Sequence, residues 1–91
     1  MKLFLVHAGF YDDNVSGGFY ESHTNYFVVA TDVKQAKQKA KAIPEYKDKK
    51  MHIDGIKEID VVDGYSISLH ENIDGSTLDN SDYSYDEVKK M

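Results

Sequence analysis

Ninety-one residues with a net charge of -5 and no cysteine make one small domain that folds without disulfides, thiolate metal sites or a cysteine nucleophile. All eleven cations are Lys and none is Arg, so the bidentate fork that reads guanine edges or grips phosphate is missing, and no nucleic-acid partner is expected. No apolar run approaches the roughly 20 residues of a membrane-spanning helix, so no membrane partner is expected either, and a cysteine-free chain suits a cytoplasmic location.

Lys2 to Phe10 is apolar on both parities, with Phe4, Val6, Ala8 and Phe10 against Leu3, Leu5, His7 and Gly9. That pattern predicts an interior strand covered on two sides, and the acidic Tyr11-Asp12-Asp13 that follows argues against a signal peptide. Tyr11 to Ser22 holds Asp12-Asp13-Asn14 and Ser16-Gly17-Gly18, turn-forming clusters suited to a long connection. His23 to Ala30, with Tyr26-Phe27-Val28-Val29 in succession, is a second buried strand. Thr31-Asp32 then caps a helix, Asp32 standing three residues ahead of Gln35 as in a capping box. Val33, Ala36, Ala40 and Ile43 form its narrow apolar stripe, and Pro44, the only proline, ends it. The lysines at 34, 37, 39, 41, 47, 49 and 50 read as a solvated face, and Tyr46 to Lys50 as linker.

From Met51 to Leu69 both arms of a hairpin alternate with the period of a half-buried strand: Met51, Ile53, Gly55, Ile59 and Val61 are apolar or small before the turn, and Tyr65, Ile67 and Leu69 are apolar after it. Ile56 and Lys57 break the pattern. A three-residue Val62-Asp63-Gly64 loop would pair Val61 with Tyr65 and Ile59 with Ile67, keeping apolar residues together and putting Gly64 at a left-handed position; a two-residue loop would set Asp60 beside Ile67. The three-residue register is the expectation. Asp63, Gly64 and Tyr65 are then structural turn residues. Glu71-Asn72-Ile73 extends the last strand before an Asp74-Gly75 turn.

The fold class is therefore α+β: a single four-stranded, mainly antiparallel sheet, ββαββ, with order 2-1-3-4 and one helix packed on a face. Residues 1–75 form the domain. Residues 76–91 form an acidic tail with at most one helical turn, capped by Ser84 with Glu87 at the reciprocal position. Charge is lopsided: residues 1–51 carry eight Lys against six acids, and residues 52–91 three Lys against ten.

Four histidines dominate the reactive inventory. Glu21-x-His23 and His52-x-Asp54 each place two side chains on one face at a strand start. In the 2-1-3-4 sheet these starts lie at one end, about 10 Å apart across the Gly9 end of strand one. Glu21, His23, His52 and Asp54 are thus candidate binding or metal ligands, since imidazole with carboxylate suits zinc, iron or manganese. The competing reading makes them hydrogen-bonded strand-end residues. His7 reads as a core histidine and His70 as a surface one. No catalytic motif names a nucleophile or a cofactor. Exposed tyrosines in the expected loops and tail favour a contact surface.

With Glu21-x-His23, Phe27-Val28-Val29, His52-Ile53-Asp54 and Val62-Asp63-Gly64-Tyr65 in view, the chain resembles a bacterial family known as domain of unknown function 1543 over most of residues 2 to 70. The resemblance carries over Glu21, His23, His52, Asp54, Asp63, Gly64 and Tyr65, and implies a small domain found once or twice per chain, whence a single-copy chain is expected to form a homodimer. It brings no established activity. The sequence thus favours a non-catalytic interaction or ligand-binding module that self-associates. The alternative is a metal-dependent or acid/base enzyme using the Glu/His/His/Asp cluster.

Overall fold

The computed structural model describes residues 1–72 and 81–91. Three strands form the main sheet: β1 (Lys2–Phe10), β2 (Ser22–Ala30) and β3 (His52–Ile59), in the order β2-β1-β3. Both pairings are antiparallel. The expectation that the twice-apolar first strand lies between the other two is met. Its alternation divides the sheet into two unlike faces, because successive side chains point to opposite sides.

One face is covered. Phe4, Val6, Val28 and Ala30 pack with Ala36 and Ala40 of α1 (Val33–Lys41). The two alanines let the helix approach closely. Asp32 caps it by accepting from the Gln35 amide at 2.8 Å, and Gln35 Oε1 accepts from the Thr31 amide at 2.7 Å. Val33, expected in the apolar stripe, is instead exposed at the first turn. The segment read as linker is also helical: Pro44 opens α2 (Pro44–Asp48), where a missing amide costs nothing, and Tyr46 is buried with Ala8, Phe10 and Met51. Proline here ends one helix by starting another.

The expected single four-stranded sheet with one helix does not form. β4 (Val61–Val62) and β5 (Tyr65–Ser66) make a separate two-stranded ribbon. Its register is one step from the three-residue-loop expectation: Val62 pairs with Tyr65 and Val61 with Ser66, and the Ile67 amide donates to the Asp60 carbonyl at 2.8 Å. Asp63 and Gly64 alone form the loop, both left-handed at φ 52° and 80°, a combination that Asp-Gly tolerates and that matches strand twist. The hydrophobic rule fails because residues 61 to 70 are all exposed. Register is strongly specified only where one face is buried. With no core beneath the ribbon, turn chemistry decides.

The two exceptions to alternation, Ile56 and Lys57, have a cause. Ala8 pairs with Ile53 but His7 with Gly55, leaving Asp54 as an extra residue in β3. This β-bulge reverses parity, so that Ile53 before it and Ile56 after it both pack against the helix-side core.

In the C-terminal segment, Ser84 Oγ accepts from the Glu87 amide at 3.2 Å and caps the short α3 (Tyr85–Lys89), as the capping pattern predicts. Glu71 and Asn72 do not extend a strand. Ile73, the Asp74-Gly75 turn and the boundary between 75 and 76 lie outside the described residues. Among the described residues no helix is long and apolar enough to cross a membrane.

Candidate functional site: a Glu-His-His-Asp cluster on the open face

Among the described residues no helix packs on the second face of the sheet. From β1 it presents Leu3, Leu5, His7 and Gly9; the register sets Val29, Phe27, Asn25 and His23 beside them on one side and Ile59, Lys57, Gly55 and His52 on the other. Down this face the rows change from apolar, at Leu3, to ionisable, at Gly9.

The Gly9 row builds the cluster. Gly9 is paired with His23 on one neighbour and His52 on the other, so both imidazoles flank a residue without a side chain. Glu21, just ahead of β2, and Asp54, at the bulge, close the ring. Glu21 Oε1 lies 2.9 Å from His23 Nε2 and 3.1 Å from His52 Nε2; Asp54 Oδ2 lies 3.1 Å from His23 Nε2 and Asp54 Oδ1 3.0 Å from His52 Nε2. The four sequence-nominated side chains therefore meet, although their strands are not neighbours. Gly9 makes the room: a β-carbon there would overlap Glu21 Oε1 and stand 2.7 Å from His52 Nε2 and 2.8 Å from Asp54 Oδ2. The side chains keep between 29% and 49% of their exposure, so the cluster is open to solvent on one side.

Its proton inventory is unusual. Two ring nitrogens face four carboxylate contacts, yet a neutral imidazole offers one N–H, and the tautomer protonated at Nδ1 would turn an Nε2 lone pair towards the carboxylates. A cation at the centre would convert all four side chains into ligands. Ligands at right angles around a metal at about 2.1 Å are about 3.0 Å apart, and tetrahedral ones about 3.4 Å. The observed contacts run from 2.9 to 3.1 Å, with Asp54 meeting His23 through Oδ2 and His52 through Oδ1.

His7 is a residue that sequence reasoning misplaced. It is exposed on the open face, not a core histidine, and its ring stacks on His23 with centroids 4.9 Å apart and planes 5° from parallel. His7 Nδ1 donates to Asn25 Oδ1 at 2.8 Å, leaving Nε2 as acceptor in the neutral ring. Ligand atoms of His7, His23 and Asp54 lie within 4.8 Å of one another, as do those of Glu21, His52 and Asp54. Tyr11 was missed as well: its hydroxyl donates to Glu21 Oε2 at 3.4 Å, on the oxygen that faces away from the histidines. The signal for His7 was its shared parity with Gly9. The helical segment after β2 packs on the face of the even β1 residues, so the face that carries His7 is the one left without a helix among the described residues.

A family model described as Domain of Unknown Function (DUF1543) matches residues 18–69. The chain belongs to that family. The matched span contains all four residues of the cluster and both outer strands, while β1, with His7 and Gly9, precedes it. No curated protein and no solved structure matches the chain. DUF1543 membership thus identifies the chain without assigning it an activity, and the chemistry rests on the cluster.

Proposed function

We propose that this DUF1543 domain binds a divalent transition metal, zinc, iron or manganese, through Glu21, His23, His52 and Asp54, and leaves coordination positions open on the solvent side for a small ligand. The single observation that carries this reading is the ring of four N-to-O distances between 2.9 and 3.1 Å over a glycine that clears the space. Mixed nitrogen and oxygen donors without sulfur suit these metals, and a metal with open positions can polarise a bound carbonyl or lower the pKa of a bound water. Whether it turns over a substrate depends on that ligand. Manganese or zinc added to the metal-free protein is expected to bind one ion per chain by calorimetry and to move the ring resonances of His23 and His52 but not of His70. Unshifted histidine resonances at saturating metal would refute the reading.

The interaction module favoured by composition has one specific support, at the opposite end of the same face. Phe27 is 71% exposed beside partly exposed Leu5, and Val29 and Ile59 flank Leu3 in the next row. A second copy of this chain placed over that apolar end would remove it from water. Light scattering is expected to give a dimer that Phe27→Glu dissociates; a concentrated wild-type protein that stays monomeric removes this role.

A further inference from the structure

We infer that the groove beside the cluster is the seat of a small dicarboxylate, one carboxylate completing the metal's coordination and the other meeting Lys57. This rests on the metal reading above and names its ligand class. The groove, a shallow cleft of about 330 Å³, is lined by Leu5, His7, Asn25, Gly55, Ile56 and Lys57. The register makes it the direct continuation of the cluster: His7, with Asn25 and Gly55 as partners, is the next open-face row after Gly9, and Leu5 with Lys57 the row after that.

Three features define what fits. Gly55 stands mid-strand without a left-handed φ, and a β-carbon added there would meet nothing within 4 Å. Neither its backbone nor its neighbours require glycine, although glycine weakens a strand by roughly 0.5–1 kcal/mol. What a side chain would fill is the groove itself, and glycine in a strand is often found where a ligand approaches closely. Second, Lys57 makes no ion pair among the described residues, whereas Lys2 pairs with Glu58 and Lys49 with Asp12. Among the described residues that line the groove it is the only lysine. Third, the cluster's two carboxylates balance a divalent ion, so that Lys57 leaves the loaded groove with one positive charge and the metal with a taste for a further oxygen donor.

Length follows from the sheet. Successive rows on one face are about 6.6 Å apart, so Lys57 sits about 13 Å along the strand from the metal. A Lys57 stem turned towards the cluster spans part of that distance, leaving room for a dicarboxylate of about six carbons with its two carboxyl carbons included. The Asn25 amide, its oxygen engaged by His7, has its N–H groups to offer a ligand oxygen midway.

The test uses the full chain, with manganese uptake measured first and then adipate, and hexanoate as the same chain lacking the second carboxylate. The expected result is that adipate binds the loaded protein roughly tenfold more tightly than hexanoate, the scale of one charge-assisted hydrogen bond. Lys57→Gln should remove that advantage and leave hexanoate unchanged. Gly55→Val should weaken both without altering manganese uptake. If manganese is not taken up, the metal reading itself fails. If manganese binds but adipate does not, or if adipate and hexanoate bind alike to the wild type, or Lys57→Gln retains the preference, the dicarboxylate inference is overturned while the metal centre stands.

Discussion

The two faces of one three-stranded sheet obey different rules. On the helix side, Phe4, Val6, Ala8, Val28 and Ala30 are buried, and among the described residues no polar or charged side chain is. On the open side, the strand residues between them carry two histidines from outer strands, a third from the central strand, an amide, a lysine and two glycines. The same backbone ladder serves both, since a strand's alternation lets one segment build a core with its even residues and a site with its odd ones. A small domain gains from this division. Residues that hold the fold need not be those that form the candidate site, and a side chain can be altered on one face with little effect on the other.

The strongest way to break that comparison is to cut into each face in turn. Phe4→Ala, at a site 1% exposed, should cost about 3–5 kcal/mol of stability in urea unfolding, whereas Leu5→Ala, half-buried on the open face, should cost roughly 1 kcal/mol. Equal losses would mean that the open face around Leu5 is covered in solution, as a second copy seated on its Phe27 end would cover it. Gly9→Ala attacks from the other direction. The new methyl displaces tips of side chains and not backbone, so unfolding should change by less than about 1 kcal/mol, while metal affinity falls by roughly 10–100-fold, the scale of a disturbed ligand shell. Metal affinity that survives Gly9→Ala would place the metal elsewhere. A smaller effect belongs to the ribbon: Gly64→Ala, at φ 80°, should cost about 1 kcal/mol locally and leave metal binding untouched.

The chain displayed most where two independent signals coincided. Apolar residues on both parities put β1 at the centre, Asp32 and Gln35 marked the helix start, and the Glu21-x-His23 and His52-x-Asp54 spacings put four candidate ligands at one end of the sheet. Their meeting over Gly9 followed from topology. What stayed hidden needed tertiary information. The bulge at Asp54 is a local change of register against β1, and only Ile56 and Lys57, out of phase in the pattern, hinted at it. The ribbon's register departs from the pairing of apolar residues because that pairing decides a register only where one face is buried. His7 reads as a core residue because β1 is apolar on both parities, although α1 and α2 both pack on the face of its even residues and leave the odd ones open.

The finest expected difference between the faces is one of pH. Tyr26 pairs with Val6 on the helix side and touches both buried clusters. Its hydroxyl donates to a carboxylate oxygen of Glu45 and lies 3.6 Å from Met51 Sδ. Partial burial first, and then the hydrogen bond to Glu45 and its negative charge, push the phenol up from 10 to about 12, because each disfavours the phenolate. A folded-state pKa above the unfolded one means that the neutral hydroxyl's contribution is complete below about pH 10 and is lost as the pH rises through about 12. Wild type should therefore lose more stability over that window than Tyr26→Phe, which has no proton to release there, and one of the seven tyrosines should titrate late by ultraviolet absorbance. Superposable pH profiles for the two proteins would show that the Glu45 contact does not persist in solution. The anchor that ties α2 to the covered face would then have to be the apolar packing of Tyr46 against Phe10 and Met51.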